Sequence, residues 1–494
     1  MKFFATSLIR QLDQYTIEHE SISSIDLMER AADKLYQQFI GHYSHLQPVC
    51  IIAGQGNNAG DALALSRKLL HAGYTVSVVL INPTTLSPDC ETNKQRLLDE
   101  FPTALNTLQQ QFISPTISAD TIIIDGLFGS GLSRPLTGIF AETVNWINQS
   151  GCEVVAIDIP SGLQGEENLQ DSKLLIVKAT ITYTLQFPKL AFFLPENADF
   201  VGKWEIIDIG IHPKVIAQTA SNYSYLEQED IRNQIKKRSK FSHKGSFGHA
   251  LIIAGNNGMA GASVLAAKAA LRSGAGLVTV FGPECNRIIV QTAIPEAIFK
   301  TTLTATANYN VIAIGPGIGT QAENAEILKD ILSQINKSCI LDADALNIIS
   351  QQNDLLKLVP ENSIITPHPK EFDRLFGISH STIQRILKAQ EKAKKHKIYI
   401  ILKGAHTLIA TPSGQLIFNS TGNPGMSTAG SGDVLTGILA GLLAQGYSAE
   451  ETATTGVYLH GRAGDIALER ESEESLIAGD IISCLGKAFK SLKD

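Results

Sequence analysis

The stretch VCIIAGQGNNAGDALALSRKLLHAGYTVSVVLI, residues 49–81, decides the fold. It opens on a short apolar run that ends in glycine at Gly54. DALALSRKLLHAG (61–73) has helical spacing and stops at Gly73, and TVSVVLI (75–81) is again apolar and β-branched. Strand, loop, helix and strand in that order form a unit whose strands lie parallel. The glycines of GQGNNAGD (54–61) let the backbone turn tightly and approach a ligand. Free N–H groups at the start of the helix favour an anion such as a pyrophosphate. The run is not a complete GxGxxG, and a glycine-rich turn of this kind can also simply turn. Asn57 and Asn58 add two amides, which serve either a ligand or the turn itself.

Upstream, LIRQLDQYTIEHE and SIDLMERAADKLYQQF carry apolar residues at three- and four-residue spacing and are predicted helices, the second capped by Ser24 or Asp26. Downstream, TIIIDGLFG (121–129) and EVVAIDIP (153–160) are predicted strands, each ending in a carboxylate and a turn, and KWEIIDIGI (203–211) is a last strand. The texture then becomes polar and charged without a sustained period. This places a first domain at 1–215, a linker at 216–239 and a second domain at 240–494. The second begins with the strand HALIIAG (249–255) and the small-residue helix GASVLAAKAALRSGAG (261–276). LVTVFG, VIAIGPG, SCILDAD, SIITPHP, IYIILKG and TLIATP follow as strands. SGDVLTGILAGLLAQG (431–446) is an apolar, glycine-rich helix.

A chain of 494 residues exceeds one hydrophobic core, and 44% apolar with 18% charged residues is the composition of a globular protein. A net charge of −7 argues against a nucleic-acid or anionic-membrane partner. The six cysteines are scattered, form no CxxC pair and read as core thiols of a reducing compartment. No apolar stretch reaches membrane-spanning length and the first residues lack the apolar core of a signal peptide, so a cytoplasmic location is expected.

In the first half, Asp125 opens DGLFGSGLSRPLTG (125–138), and Asp158 opens DIPSG (158–162) with Ser161 behind it. Together with Asn57 and Asn58 they bring amide, carboxylate and hydroxyl oxygens to the carboxyl edge of one sheet, where ligands of open α/β sheets bind. Such oxygens suit a hard cation, and the lack of a His or Cys cluster argues against zinc. NNAGD, DGLFGSGLSRPLTG and DIPSG in this order, after a helix carrying LMERAA, resemble the NAD(P)H-hydrate epimerase family over roughly residues 5–215. The resemblance implies a Rossmann-like three-layer fold and interconversion of the R and S epimers of the 6-hydroxylated nicotinamide nucleotide. It implies a potassium ion (K+) held by Asn58, Asp125 and Ser161. It also implies substrate contacts at Asn57, Asn58, Ala59, Gly60 and Asp61, at Gly129, Ser130, Gly131, Leu132, Ser133, Arg134 and Pro135, and at Asp158, the acid/base group. The family pattern is NNGGDG, whereas this chain has alanine at Ala59 and Ala62. If either position needed positive φ, alanine would cost about 1–2 kcal/mol. An active or weakened epimerase is the expectation.

In the second half, NPGMSTAGSGDVLTG (423–437) is a glycine-rich turn running into a helix, with Asp433 in the first turn. N–H groups of Gly430, Ser431 and Gly432 converging on one spot would stabilise a transferring phosphoryl group, with Asp433 placed to take a proton from the attacking hydroxyl. The alternative is a plain helix cap. ILKGAHT (401–407), TPHPKEF (366–372), GPGIG (315–319) and DADALN (342–347) end other strands. The aspartates of DADALN either orient a metal or cap the next helix. The set resembles the ribokinase-like superfamily and, within it, the ADP-dependent NAD(P)H-hydrate dehydratases, over about 240–490. That implies nucleotide contacts at Lys403, Gly404, Ala405, His406, Thr407 and Gly432, and hydrated-nicotinamide contacts at Ala262, Gly317, His368 and Asp433. It implies dehydration of the S hydrate with ADP converted to AMP and phosphate, magnesium (Mg2+) bridging the phosphates, and a homo-oligomer. The rival reading is a vitamin-precursor kinase joined to a nucleotide-binding module without catalysis. A dehydrogenase would need a complete GxGxxG and an acidic residue after the second strand, where Ile81-Asn82-Pro83 stands.

Overall fold

The computed structural model describes residues 1–132, 134–166, 175–303 and 306–493. The chain divides into two compact units, Lys2–Ser221, and Asn222–Asp494 with Met1. The stretch 216–239, read as a linker, is shared between them. The helix Pro213–Gln218 ends in the first unit, and the strand Tyr223–Tyr225 and helix Gln228–Arg232 belong to the second.

In the first unit, β1 (Val49–Ala53), β2 (Val76–Ile81), β3 (Leu105–Leu108), β4 (Ile122–Gly126), β5 (Glu153–Ile157), β6 (Ile181–Leu185) and β7 (Lys203–Ile207) form a seven-stranded sheet in the order β3-β2-β1-β4-β5-β6-β7. Every neighbouring pair is parallel. The first six positions follow the doubly wound Rossmann order, with its switch point between β1 and β4. β1 and β4 are buried at every residue, which is why they read as unbroken apolar runs. One face, with Cys50, Ile52, Val79, Ile81 and Ile123, packs on Ile139, Val144 and Ile147 of the helix Ile139–Gln149. The other is covered by the helix Asn57–His71, which packs in turn on Ser24–His42 and Pro88–Glu100, giving three layers. The cap of helix Ser24–His42 is one residue earlier than expected: the Ser23 side chain accepts from Asp26 N–H, and the Asp26 carboxylate answers the Ser23 N–H at 2.9 Å.

In the second unit, β8 (Tyr223–Tyr225), β9 (His249–Ile253), β10 (Leu277–Phe281), β11 (Ile298–Lys300), β12 (Val311–Ile314), β13 (Ile340–Leu341), β14 (Ile364–Ile365), β15 (Tyr399–Leu402), β16 (Leu408–Ala410) and β17 (Leu416–Phe418) lie in the order β8-β17-β16-β15-β14-β13-β12-β9-β10-β11. The run from β15 to β11 is parallel, and β15, β16 and β17 are joined antiparallel. Helices Ala260–Arg272 and Ser431–Ala444 share a core of alanines and branched residues, including Ala266, Ala270, Val434 and Ile438. A Cβ on Gly437 would lie 2.1 Å from the Ala266 carbonyl oxygen, and one on Gly441 2.6 Å from that of Ala270. The glycines of GILAG therefore let two backbones touch, which fixes the start of the helix that carries Asp433. Among the described residues no helix is long and apolar enough to cross a membrane.

Candidate active sites

At the switch point of the first sheet, β1 feeds the helix Asn57–His71, so Asn57 to Asp61 form its first turn. Asn57 is exposed, whereas Asn58, Ala59, Gly60 and Asp61 are buried. Ala59 and Ala62 are helical residues without positive φ, so the conformational cost foreseen for alanine does not arise. The Ala62 methyl instead lies over Gly126, where an added Cβ would be 2.4 Å away. The Asn58 carboxamide has both polar atoms buried and unpartnered. A buried amide without partners is costly unless a ligand supplies them.

Asp125 ends β4 with its side chain fully buried. Its carboxylate accepts from Ser161 N–H at 2.8 Å and from Ser161 Oγ at 2.6 Å, and burial, outweighing these bonds, pushes it up to about 6. Asp158 follows β5 at φ 66°, a left-handed conformation that aspartate tolerates better than most residues. Its Oδ2 accepts from Ser130 N–H at 3.3 Å, and a Cβ on Gly129 would lie 3.5 Å from that oxygen and 3.4 Å from Asn58 Cβ. Asn58, Gly129, Ser130 and Asp158 thus converge. Leu132 N–H donates to Gly129 O at 3.3 Å, Gly131, Arg134 and Pro135 are exposed on the same loop, and Ser133 lies outside the described residues.

Two groups here escaped sequence reasoning. Lys189 is 4% exposed, and its ammonium donates to Asp158 Oδ1, to Thr184 Oγ1 at 2.9 Å and to the Phe187 carbonyl at 3.1 Å. Its signal was a lone cation inside the apolar run LQFPKLAFFLP (185–195). Asp13, on the helix Thr6–Glu20, is pushed up to about 6 by burial and by Asp158, against Lys189. Asp61 is held well above the usual carboxylate range by burial, then by Asp158, Asp13 and Asp89. Three carboxyls, Asp13, Asp61 and Asp158, and the Lys189 ammonium therefore act on one another here.

In the second unit, the helix Ser431–Ala444 starts at Gly430, which takes φ 87°, and its first N–H groups face outward with Asp433 in the first turn. Ser431 N–H reaches the Thr428 carbonyl only at 3.4 Å. Burial first, then Asp342, push Asp433 up to about 6, against Lys403. Lys403, at the end of β15, donates to Asp342 Oδ1 at 2.9 Å and lies 4.0 Å from Glu371. Burial opposes its charge, but Asp342 and Glu371 outweigh it and hold the ammonium above its ordinary value. A Cβ on Gly432 would be 3.4 Å from Lys403 Nζ, so Lys403 and the turn meet.

His368 caps the helix Pro369–Phe376, accepting from Lys370 N–H at 3.1 Å with Nε2 3.4 Å from Glu371, and burial holds its imidazole below its ordinary value. Gly317 takes φ 62° and would set a Cβ 3.1 Å from that of Ala262, so these two meet as well. Gly404 and Ala405 are exposed at the β15–β16 turn. His406 Nδ1 lies 3.3 Å from the carbonyl oxygen of Asn419, just after β17, and Thr407 Oγ1 donates to Gly404 O within the turn at 3.1 Å. Of the DADALN aspartates, Asp344 accepts from Gly319 N–H at 2.8 Å and steadies the GPGIG loop. His460, unforeseen from sequence, sets Nε2 3.0 Å from Ser431 O, and burial lowers it to about 4.

A family model described as NAD(P)H-hydrate dehydratase matches residues 250–486, and one described as YjeF-related protein N-terminus matches residues 24–191. The bifunctional NAD(P)H-hydrate repair enzyme Nnr of Moorella thermoacetica is 34% identical over 98% of this chain and 96% of its own length. Its counterpart in Escherichia coli K12 is 30% identical over 97% of this chain and 92% of its own. The crystal structure of a ribokinase-like superfamily protein from Enterococcus faecalis superposes with a TM-score of 0.51 at 32% identity, covering 56% of this chain and 98% of that one. With both units matched in order and over nearly the whole length, the chain belongs to the family of bifunctional NAD(P)H-hydrate repair enzymes.

Proposed function

We propose that the first unit interconverts the R and S hydrates of NADH and NADPH, and that the second returns the S hydrate to NAD(P)H while converting ADP to AMP and phosphate. The observation that carries this is Asp433 beside the Lys403–Asp342 pair at a glycine-rich helix start. A half-buried carboxylate pushed up to about 6 is ionised near neutral pH and still a good proton acceptor.

In the second unit Asp433 takes the proton of the 6-hydroxyl, and that oxygen attacks the terminal phosphorus of ADP, releasing AMP. Lys403 and the Gly430–Gly432 turn stabilise the charge on the transferring group. The ring nitrogen then expels phosphate, a far better leaving group than hydroxide, and loss of a ring proton restores the dihydronicotinamide. Gly404 to Thr407 and Gly432 contact the nucleotide, and Ala262, Gly317 and His368 the hydrated ring. Among the described residues no three His, Cys, Asp or Glu side chains are grouped to hold a metal. A magnesium ion bound with the nucleotide would neutralise charge on its phosphates.

In the first unit the ring nitrogen expels hydroxide from the hydrated carbon, leaving a planar iminium that water re-enters from either face. Asp158 moves the proton in both directions, with Lys189 holding its carboxylate in place. Residues Asn57 to Asp61 and Gly129 to Pro135 hold the nucleotide. The unpartnered carboxamide oxygen of Asn58, with the bonded Asp125 carboxylate and Ser161 hydroxyl, would supply oxygen ligands of the kind that suit a potassium ion. Bound there, it would supply a fixed positive charge at the mouth of the switch point.

A vitamin-precursor kinase would need only the second unit, and the match of both units to repair enzymes weighs against it. The test uses purified protein, mixed R and S hydrates of NADH, ADP and magnesium, with chromatography of each epimer and the near-ultraviolet absorbance of NADH. Recovery of both epimers, faster than they epimerise alone, is expected. Recovery of the S hydrate only would remove the epimerase, and no recovery with ADP or ATP would sink the dehydratase.

A further inference from the structure

The charge that organises the dehydratase site lies beneath it. Asp342 is 1% exposed and follows β13, one strand away from the strand that carries the expected His368. Each of its oxygens has a protein partner. Oδ1 accepts from Lys403 Nζ at 2.9 Å, and Oδ2 accepts from Thr436 Oγ1 at 2.8 Å. Thr436 is itself buried and stands three residues beyond Asp433 on the same helix, on the same face and one turn deeper. One carboxylate therefore ties the end of β15 to the first turns of the helix Ser431–Ala444. The residue after it, Ala343, takes φ 49°, an uncommon conformation for alanine.

We propose that Asp342 is a positioning residue for the phosphoryl transfer, a clamp that holds the Lys403 ammonium against the Gly430–Gly432 turn and anchors the helix that presents Asp433. With Oδ1 bonded to Lys403, Oδ2 bonded to Thr436 and almost no exposure, the Asp342 side chain joins two elements instead of capping the helix that follows it. The clamp acts on two things at once. It fixes where the positive charge sits relative to Gly432, whose Cβ position is 3.4 Å from Lys403 Nζ and 3.7 Å from Asp342 Oδ2. It also places a negative charge near the base. Asp433 is faced by Asp342 and Asp344 from the loop after β13 and by Lys403 from β15, while His460 bonds to the neighbouring Ser431. Lys403 is faced by Asp342, Glu371 and Asp433. Removing the Asp342 charge takes away a repulsion on ionised Asp433 and frees the Lys403 charge to attract it. Both changes make Asp433 a weaker base.

The inference rests on Asp433 being the base, so the experiment carries a control for that. Asp342→Asn, Thr436→Val and Asp433→Asn are made in the full chain, and dehydratase turnover on the S hydrate is measured against pH and per folded protein. Asp342→Asn is expected to lose about 100-fold in kcat, as misplaced reacting groups do, with little change in KM for the hydrate. The acid limb of its kcat profile moves to lower pH. Thr436→Val keeps the charge and breaks one anchor, so kcat falls less and the acid limb stays. A folded Asp342→Asn with wild-type kcat and an unmoved limb overturns the clamp. If Asp342→Asn does not fold, Thr436→Val decides, and unchanged kcat there overturns it too. Should Asp433→Asn retain turnover, the base assignment fails, a result separable from either of these.

Discussion

Lys189 donates its ammonium to Asp158 from a position 31 residues later in the chain, and both residues are buried. Asp158 Oδ2 and Asn58 Cβ both approach the Cβ position of Gly129, at 3.5 and 3.4 Å, so the pair adjoins the Asn58 turn. Lys189→Met keeps the length of the stem and removes the charge, leaving Asp158 buried without its partner. Breaking a buried pair in this way costs about 3 kcal/mol. The expected outcome is a lowered urea midpoint for the first unit, loss of epimerase turnover, and unchanged dehydration of the purified S hydrate. A variant that keeps epimerase turnover would remove Lys189 from the site.

The alanines of the NNAGDA turn are expected to be harmless. Ala59 and Ala62 are helical and fully buried, so glycine at either position loses helix propensity and a packed methyl. Each substitution is expected to cost about 1 kcal/mol, read from chemical denaturation, and to leave the epimerase rate unchanged. A faster enzyme would mean instead that a methyl crowds the ligand. The same contact makes a sharper test from the other side. Gly126→Ala would set two Cβ atoms 2.4 Å apart at Ala62, costing about 1–3 kcal/mol of overpacking. Ala62→Gly should recover most of that loss in the double variant.

What was legible in the sequence were features with a local signature. β1 and β4 are apolar runs because they are buried on both faces, and Asp125 and Asp158 stand where such runs stop. The Gly430 turn announced itself by small residues before an apolar helix. What was hidden depends on partners far along the chain. β8 is three residues, Tyr223–Tyr225, inside a polar stretch, and its strand character comes from pairing with β17. Three residues cannot display a period. β6, ITYTL, mixes threonines into a buried strand and so loses the apolar signal. Lys189 and Asp342 gain their roles only through Asp158 and Lys403, and nothing in their immediate neighbours states that pairing.

Dehydratase turnover should fail as pH falls through about 6, because Asp433 must be ionised to accept the proton and burial has raised it to that value. The same shift has a consequence for stability. A carboxyl raised on folding binds its proton more tightly in the folded state, so its contribution is fully present below the unfolded value of 3.8 and is lost as pH rises through about 6. Asp433→Asn, which carries no charge to desolvate, is therefore expected to melt at a higher temperature than the parent at neutral pH. That gap should close as pH falls from about 6 toward 3.8. Parallel melting curves across the range check it, and a variant less stable at neutral pH would contradict the buried-charge account.

The close approach of two helices sets the last expectation. Gly437 lies where a methyl would stand 2.1 Å from the Ala266 carbonyl oxygen, an obstruction made by backbone that cannot swing aside. Gly437→Ala must push helix Ser431–Ala444 away from Ala260–Arg272, and overpacking of this kind costs about 1–3 kcal/mol. The displacement acts on the site as well as on the core. Asp433 and Thr436 precede Gly437 on the same rigid helix, while Lys403 and Asp342 are fixed to the sheet, so the helix would carry its residues off the clamp. Turnover should therefore fall by more than the loss of folded protein explains. Gly441→Ala, one turn further from Asp433 and 2.6 Å from the Ala270 oxygen, should cost stability with a smaller loss of kcat. Equal losses of turnover at the two positions would show that the helix start is not held by this contact.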